Sequence, residues 1–199
     1  MQTFQSKHAK YYTGNPISAT LVKNFFKRIS ELYSSIEVES VFDGGCGEGF
    51  VLHTLNQVRP IKTCGAIDLD RIEVEDASRN LPFCDVKQGS LYDIPFENNQ
   101  FDLVICSEVL EHLVEPEKGL KELHRICIKY AILSVPREPI WRIMNMARFK
   151  YWNHLGNTPG HLNHWSRPAF ITFVEQYFII LEVKSPLPWT MLLAEKKME

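Results

Sequence analysis

Short apolar runs alternate with stretches of helical periodicity along most of the chain. The apolar runs predict strands in the segments FIILEV and WTMLLAEK and at residues 38–43, 63–68, 85–88, 101–106 and 130–135. The helical stretches are 49–58, 72–80, 116–127 and 169–178. Runs such as LVIC and AILSV are apolar at every position, which is typical of strands buried on both faces of a parallel sheet. The alternation therefore predicts an α/β fold with a doubly wound, mostly parallel sheet.

The length of 199 residues suits one domain with a core of its own. We divide it into an N-terminal helical cap (1–36), a ligand-binding core (37–136), a lid insertion (137–165) and a C-terminal helix with two strands (166–199). The insertion places 29 residues after the fifth strand, where a short connection would suffice. Long insertions of this kind beside a ligand site are often lids.

Cysteine spacing and hydropathy argue against several classes of protein. The five cysteines are odd in number and never spaced C-x-x-C, which argues against a disulfide framework and against a zinc knuckle. No apolar run approaches the roughly 20 residues that span a bilayer, and the segment MQTFQSKHAKYY lacks the apolar core of a signal peptide. We therefore predict a cytoplasmic protein.

The net charge of −2 conceals a strong asymmetry. Asp and Glu outnumber Lys and Arg two to one in residues 37–136, whereas residues 1–36 and 137–199 are both basic. The acidic core offers no basic surface that could bind the phosphate backbone of a nucleic acid, so we expect no nucleic acid partner. The basic insertion would attract an anionic acceptor or a phospholipid surface, which predicts peripheral membrane contact through the lid.

Four glycines follow the first strand in the segment VFDGGCGEGF. Open α/β sheets bind ligands at this position, where exposed backbone N–H groups favour a carboxylate or a phosphate. The spacing of Gly45, Gly47 and Gly49 is G-x-G-x-G. Phe50 occupies the third glycine position of the dinucleotide pattern G-x-G-x-x-G. Asp43, directly before the turn, would repel a pyrophosphate, so the segment favours a ligand with an ammonium group over a nicotinamide cofactor.

Four segments in order, VFDGGCGEGF, AIDLD, GSLYDIPF and FDLVICSEVLEHL, resemble the successive motifs of the class I S-adenosylmethionine-dependent methyltransferases. The closest branch is the small-molecule one that includes the ubiquinone- and menaquinone-biosynthesis enzymes. The resemblance implies a Rossmann-like seven-stranded sheet with an antiparallel last strand. It also implies S-adenosyl-L-methionine as cofactor, S-adenosyl-L-homocysteine as product, and methyl transfer to a small-molecule or lipid-like acceptor.

The resemblance also assigns residues to the cofactor. Asp43 would reach the ammonium group of the methionine part, and Asp68 would accept hydrogen bonds from both ribose hydroxyls. Leu69 and Leu91 would enclose the adenine, and Ser90 stands where the family often has an acidic residue for the adenine amino group. The full set is Asp43, Gly44, Gly45, Cys46, Gly47, Asp68, Leu69, Ser90, Leu91 and Ser107.

The segment SEVLEHL raises a metal-dependent alternative. Glu108, Glu111 and His112 form the motif E-x-x-E-H. Together with His161 or His164 they could bind a divalent cation, a set that resembles the one in metal-dependent RNA 3′-end 2′-O-methyltransferases. The same motif is common in metal-free small-molecule relatives, where the histidine packs or caps locally. We therefore expect no metal.

The insertion is predicted to form a helix from Pro139 to about Trp152. Its apolar stripe consists of Ile140, Ile143, Met144, Ala147 and Tyr151. We expect that stripe to dock the helix on the body of the domain. A second stripe at the same spacing contains Asn145, two indoles and a guanidinium, and it has no evident core to enter. We expect Trp141, Arg148 and Trp152 to line the pocket of a flat, anionic or lipid-like acceptor.

His161 and His164 follow the helix-breaking residues of the segment GNTPGHLNHWS. Methyl transfer is an in-line displacement in which positioning supplies most of the rate, and a base is needed when the acceptor is a hydroxyl. We predict that one of these histidines accepts that proton, which makes the reaction an O-methylation. Two alternatives stay open at this point: a hydrogen-bonded lid hinge formed by the histidines, and a noncatalytic cofactor-binding partner of another enzyme.

Overall fold

The computed structural model describes residues 16–198, so residues 1–15 of the predicted N-terminal cap lie outside the described part. The elements are α1 (Pro16–Ser34), β1 (Ser40–Gly44), α2 (Phe50–Val58), β2 (Thr63–Asp68), α3 (Arg71–Asn80), β3 (Asp85–Gln88), β4 (Phe101–Ser107), α4 (Pro116–Ile126), β5 (Cys127–Pro136), α5 (Ile140–Ala147), α6 (Arg167–Val174), β6 (Phe178–Lys184) and β7 (Trp189–Lys196). Short 3₁₀ turns at Leu110–His112 and Trp152–His154 follow β4 and α5. None of the helices within 16–198 is long and apolar enough to cross a membrane.

Within that range the strands form a seven-stranded sheet in the order β3-β2-β1-β4-β5-β7-β6. The pairs β1–β2, β1–β4, β2–β3 and β4–β5 are parallel. β7 runs antiparallel to both of its neighbours, β5 and β6. The chain order changes direction between β1 and β4, the switch point at which open α/β sheets bind ligands. The predicted doubly wound sheet with an antiparallel last strand is confirmed.

Helices cover both faces of the sheet. On one face, α1, α2 and α3 bury apolar side chains such as Ile29, Leu52 and Ala77. On the other face, α4 and α6 bury Leu123 and Phe170. Burying one large apolar side chain contributes about 1.5–3 kcal/mol relative to leaving it exposed. The two cores therefore make the sheet a firm support for the loops at the carboxyl ends of its strands.

α5 is shorter than predicted, and it docks by the opposite face. The helix ends at Ala147 because Phe149 takes a left-handed conformation (φ 57°) and the Lys150 N–H donates to Asn145 O in a Schellman cap. That cap usually contains glycine, so the sequence carried no signal for it. The expectation that the apolar stripe docks the helix is wrong, since Asn145 is buried whereas Ile143 is exposed.

The insertion leaves and rejoins the sheet at one place. Arg137 and Trp165 form an isolated bridge, and the Glu138 N–H donates to Trp165 O (2.9 Å). Inside the insertion, Asn145 Nδ2 donates to Gly156 O (2.9 Å). A buried amide that is hydrogen-bonded in this way can replace apolar packing without leaving an unsatisfied donor. The insertion is thus tied together by polar contacts that hydropathy does not reveal.

Cys64 in β2 and Cys84 directly before β3 form a disulfide. The expectation of a chain without disulfides is therefore wrong for this pair. The two cysteines are 20 residues apart in sequence, but β2 and β3 are adjacent parallel strands and bring them together. Sequence spacing could not show this, because it does not reveal which strands are neighbours. The other cysteines, Cys46, Cys106 and Cys127, are buried free thiols.

Candidate active site

A cavity of about 1180 Å³ opens at the carboxyl ends of β1, β2 and β4. Its walls come from the glycine turn, from the ends of these strands, and from α1, α5 and the loop before β7. Ordinary ligand pockets measure about 300–1,000 Å³. At about 1180 Å³, this cavity is slightly larger than that range.

The glycine turn forms part of the cavity wall. Gly45, Gly47 and Gly49 have φ values of 82°, 53° and 87°, which residues with side chains rarely adopt. Gly45 also has no room for a side chain, because an added Cβ would collide with Val109. Its N–H donates to Ile67 O (2.8 Å), which fixes the turn against the end of β2. The absence of a side chain at Gly45 therefore lets the backbone of the turn lie directly against Val109 at the cavity wall.

Asp68, at the end of β2, is held by the same turn. Its Oδ2 accepts a hydrogen bond from the Gly47 N–H (2.8 Å), and its Oδ1 accepts one from the Asp70 N–H (2.9 Å). A carboxylate has about four lone-pair sites, so each oxygen can accept a further bond. Since Asp68 lines the cavity, this remaining capacity is available to hydroxyl groups of a ligand.

Asp43, at the end of β1, is a buried carboxyl group. It is 1% exposed, and its Oδ2 has no hydrogen-bond partner among the described residues. Burial, with a smaller contribution from the charge of Asp68, raises the pKa of Asp43 to about 8. An unpaired buried carboxylate is unfavourable. A ligand ammonium group beside it would satisfy the oxygen and lower the pKa again.

Nine of the ten residues assigned to the cofactor line the cavity, and the exception is Gly44. A Cβ on Gly44 would collide with Leu91, so this glycine permits close packing instead. Leu69 presents an exposed apolar side chain, and Ser107 Oγ is buried with no partner within residues 16–198. Burial raises the pKa of the Cys46 thiol, which leaves Cys46 a neutral packing residue and not a nucleophile.

Much of the remaining cavity lining is apolar and aromatic. It includes Leu21, Val22, Phe25, Trp141, Met144 and Trp189. The ring of Phe25 meets that of Trp189 edge to face, with 5.0 Å between centroids. Neither α1 nor Trp189 was predicted from the sequence to belong to the site. The helical period of α1 shows that one face is buried, but it does not show that part of this face meets a ligand.

Only one of the two candidate catalytic histidines lines the cavity. His161 lines the cavity, and its ring stacks on Trp141 with 5.7 Å between centroids. Burial, followed by the neighbouring imidazoles, lowers the pKa of His161 to about 4, so its ring is neutral at pH 7. His164 is not part of the cavity lining, and its Nδ1 lies 3.7 Å from a carboxylate oxygen of Glu138.

Two of the three residues predicted to line the acceptor pocket line the cavity. Trp141 and Arg148 line the cavity, and Trp141 Nε1 donates to Thr158 Oγ1 (2.9 Å). Trp152 is outside the lining and stacks on Phe149, with 6.4 Å between centroids. Because α5 ends before Trp152, this residue does not continue the helical face of the other two.

The E-x-x-E-H segment follows β4 and enters the 3₁₀ turn beside the cavity. Glu108 accepts a hydrogen bond from Trp189 Nε1 (2.6 Å). Glu111 is 1% exposed, and neither of its carboxylate oxygens has a hydrogen-bond partner in the described part of the chain. Burial, reinforced by the charge of Glu108, raises the pKa of Glu111 well above its ordinary value. His112 Nδ1 lies 2.9 Å from Gly160 O, which connects this turn to the insertion.

Comparison with known proteins identifies a domain within the chain. Residues 42–135 match the model of a family described as a methyltransferase domain. The chain is 36% identical over 107 residues to an uncharacterized 37.1 kDa transposon protein of Streptomyces fradiae, covering 52% of this chain and 31% of that protein. It is 25% identical over 119 residues to a Mycobacterium tuberculosis protein named "Probable S-adenosylmethionine-dependent methyltransferase", covering 57% and 43%. The matches thus span less than half of the length of these relatives.

Solved structures share the fold over nearly the whole chain. A chain from the complex between the Haloferax volcanii Trm112 methyltransferase activator and a methyltransferase matches with a TM-score of 0.72 at 14% identity, covering 98% of this chain and 100% of that chain. Magnesium protoporphyrin IX methyltransferase from Synechocystis, with bound S-adenosylhomocysteine, matches with a TM-score of 0.67 at 16% identity, covering 92% and 88%. At such identities the likeness concerns the fold alone.

The family match and the named relative support a methyltransferase domain in residues 42–135. They also support S-adenosylmethionine as its cofactor. The site fits that molecule, because Asp43 Oδ2 has no partner among the described residues and suits an ammonium group, and because each Asp68 oxygen accepts one hydrogen bond and can accept another from a ribose hydroxyl. Placement in the ubiquinone-like branch stays a prediction.

Proposed function

We propose that this chain transfers a methyl group from S-adenosylmethionine to an oxygen atom of a small-molecule or lipid-like acceptor. The observation that carries the proposal is a single cavity lined both by the residues assigned to the cofactor and by an aromatic set that includes His161. A shared cavity would hold donor and acceptor next to each other. Such positioning supplies most of the rate in an in-line displacement.

At the donor end, Asp43 would pair with the methionine ammonium group and Asp68 with the ribose hydroxyls. Leu69 and Leu91 would enclose the adenine, with the Ser90 hydroxyl near its amino group. The burial of Asp43 and the remaining acceptor capacity of Asp68 support these roles. In this arrangement the methyl-bearing sulfur would face the rest of the cavity.

At the acceptor end, the aromatic lining supports a flat, largely apolar molecule. Phe25, Trp141 and Trp189 offer ring faces and edges, which bind such molecules with little loss of side-chain entropy. Arg148 adds a guanidinium to the lining, and a guanidinium suits an anionic group on the acceptor. A quinol, a phenol or the polar end of a lipid would have this chemistry.

In the proposed step, the hydroxyl oxygen of the acceptor attacks the methyl carbon of the sulfonium. The new O–CH₃ bond forms as the C–S bond breaks, and the electron pair of that bond stays on sulfur to give S-adenosylhomocysteine. The hydroxyl proton passes to His161, whose imidazole lines the cavity. His164 would act at a distance, by holding Glu138 at the entrance of the insertion.

Two single substitutions test this division of roles. A screen of candidate acceptors for S-adenosylhomocysteine formation first identifies a substrate. We then expect His161→Ala to lose about 10²–10⁴ in turnover, the usual effect of removing a general base, with cofactor affinity nearly unchanged. His164→Ala is the matched control from the same segment, and it should keep most of its turnover. Equal turnover in the wild type and both variants would contradict the role of His161.

The tip of the insertion, residues 149–155, supports a membrane or lipid surface as the source of the acceptor. Phe149 is 85% exposed, and Trp152 and Leu155 are also exposed. Lys150 lies among these side chains in sequence. Aromatic side chains beside a cation are typical of segments that rest at the interface of an anionic bilayer. We propose that the tip makes this contact.

A further inference from the structure

We propose that Arg148 and Lys150 form a binding site for an oxyanion, either a carboxylate or a phosphate, at the end of the methyl acceptor remote from its reactive hydroxyl. This inference deepens the proposed function and rests on it. Both residues line the cavity, and both are exposed. They therefore lie where the cavity opens to solvent, away from the buried carboxyl of Asp43.

The charges of the cavity lining are segregated. The acidic residues come from the strand ends, the glycine turn and their neighbours, and they are Asp43, Glu48, Asp68, Glu73, Glu108 and Glu111. Arg148 and Lys150 are the only Arg and Lys in the lining that residues 16–198 provide. An oxyanion is attracted to these two cations and repelled by the ionised members of the acidic set. An anionic acceptor would therefore bind with its charged end at the entrance.

Arg148 is held in place by neutral groups and keeps unused donors. Its Nη2 donates to Asn145 Oδ1 (2.7 Å), and its Nε donates to Met144 O (3.3 Å). A guanidinium has five N–H donors in a planar fork, so further N–H groups remain. Such a fork matches two oxygens of a carboxylate or a phosphate. Arg148 is thus oriented by α5 without being neutralised by a carboxylate.

Lys150 is directed to the cavity by the backbone on either side of it. Phe149 and Tyr151 have φ values of 57° and 56°, a left-handed conformation that residues other than glycine rarely adopt. Phe149 is 85% exposed and lies outside the lining, whereas Lys150 belongs to it. Lys150 has no ion pair within the described part of the chain. The turn therefore presents an uncompensated cation beside Arg148.

α5 sets the distance between this pair and the proposed proton acceptor. Trp141, Met144 and Arg148 all line the cavity, and their spacing of three to four residues places them on one helical face. Trp141 stacks on His161. With a rise of 1.5 Å per residue, Arg148 lies about 10 Å from Trp141 along the helix axis. An acceptor with its hydroxyl at His161 would therefore carry its oxyanion at about that distance.

Two compounds of matched shape test the site. 4′-Hydroxybiphenyl-4-carboxylate carries a hydroxyl and a carboxylate at opposite ends of two rings, and 4-hydroxybiphenyl lacks the carboxylate. Each is titrated by calorimetry into the whole chain saturated with S-adenosylhomocysteine. We expect the carboxylate to bind the wild type at least about tenfold more tightly than the neutral compound, because charge-assisted hydrogen bonds are the stronger ones. The double variant Arg148→Met, Lys150→Met should lose this preference.

The double variant Lys121→Met, Arg167→Met is the matched control. It removes the same two charges from α4 and from the start of α6, outside the cavity lining, and it should keep the preference. Circular dichroism verifies that the variants are folded. Failure of the carboxylate to bind the wild type, equal affinity for both compounds, or a preference that survives Arg148→Met, Lys150→Met would overturn the inference.

Competition identifies the source of the oxyanion, and titration of S-adenosylhomocysteine separates the two proposals. Displacement of the carboxylate by dihexanoylphosphatidate at far lower concentration than by inorganic phosphate supports a lipid headgroup, whereas equal displacement supports a soluble acceptor. S-Adenosylhomocysteine binding without the carboxylate preference contradicts the oxyanion site alone. A carboxylate preference in protein that does not bind S-adenosylhomocysteine contradicts the proposed function.

Discussion

Asp43 and Glu111 are buried acidic residues that line the same cavity and have carboxylate oxygens without hydrogen-bond partners in residues 16–198. Folded proteins rarely leave buried polar atoms unsatisfied, so each exception calls for an explanation. A positively charged ligand group satisfies a carboxylate and reduces the cost of its burial. We propose that Asp43 pairs with the ammonium group of the cofactor, whereas burial raises the pKa of Glu111 and favours its neutral form.

Cofactor binding should release a proton from Asp43 at neutral pH. The pKa of Asp43 is about 8 without ligand, so the group is mostly protonated at pH 7, and an ammonium group beside it would lower that pKa. Calorimetry with S-adenosylhomocysteine in buffers of different ionisation enthalpy measures the release as a buffer-dependent heat. The dependence should fade as the pH rises past 8 and should be absent in Asp43→Asn. A buffer-independent heat at pH 7 in the wild type would contradict this assignment.

At the scale of elements, the strands could be predicted and the end of α5 could not. Each strand boundary lies within three residues of its prediction. For β1, β4 and β5 the reason is that strands buried on both faces produce unbroken apolar runs. α5 stops where Phe149 adopts a left-handed conformation, and a phenylalanine gives no warning of that. This difference explains why Trp152 does not line the cavity, because a helix that continued to Trp152 would have carried this residue on the same face as Trp141.

The sequence could predict that the residues assigned to the cofactor lie at one cavity, but it could not predict the contacts between distant segments. The glycine turn and Asp68 follow the ends of consecutive parallel strands, so topology alone brings them together. His161 meets Glu111 only because the insertion folds back onto the turn after β4. The Cys64–Cys84 disulfide likewise depends on which strands are neighbours. No local pattern in the sequence encodes such contacts.

The tip of the insertion should bind anionic vesicles. Phe149 and Trp152 stack on each other outside the cavity, and burial of such rings in a bilayer interface is favourable by about 1.5–3 kcal/mol each. We expect the double variant Phe149→Ser, Trp152→Ser to lose at least about tenfold in co-sedimentation with phosphatidylserine-containing vesicles. Ile179→Ser, which removes an exposed apolar side chain from β6, is the control. Vesicle binding that is absent in the wild type, or equal in both variants, would contradict the membrane contact.

At the scale of the whole molecule, the segment that matches the methyltransferase domain and the aromatic lining of the cavity come from different parts of the chain. The methyltransferase match covers residues 42–135. The aromatic lining comes from outside that range, with Phe25 in α1, Trp141 in α5 and Trp189 at the start of β7. Folds of this kind carry many functions through the elements added around a common core. Acceptor choice is therefore expected to reside in α1, the insertion and the loop before β7.

Binding of S-adenosylhomocysteine, measured by isothermal titration calorimetry against NAD, tests the central claim most directly. We predict one site per chain for S-adenosylhomocysteine and no measurable heat with NAD, because Asp43 and the G-x-G-x-G turn suit an ammonium group and not a pyrophosphate. Asp68→Ala should weaken binding by about 1–3 kcal/mol through the loss of ribose hydrogen bonds. Asp70→Ala, which removes the α3 cap formed by Asp70 Oδ1 and the Ile72 N–H, should bind like the wild type. Tight binding of NAD with no heat from S-adenosylhomocysteine would contradict the account.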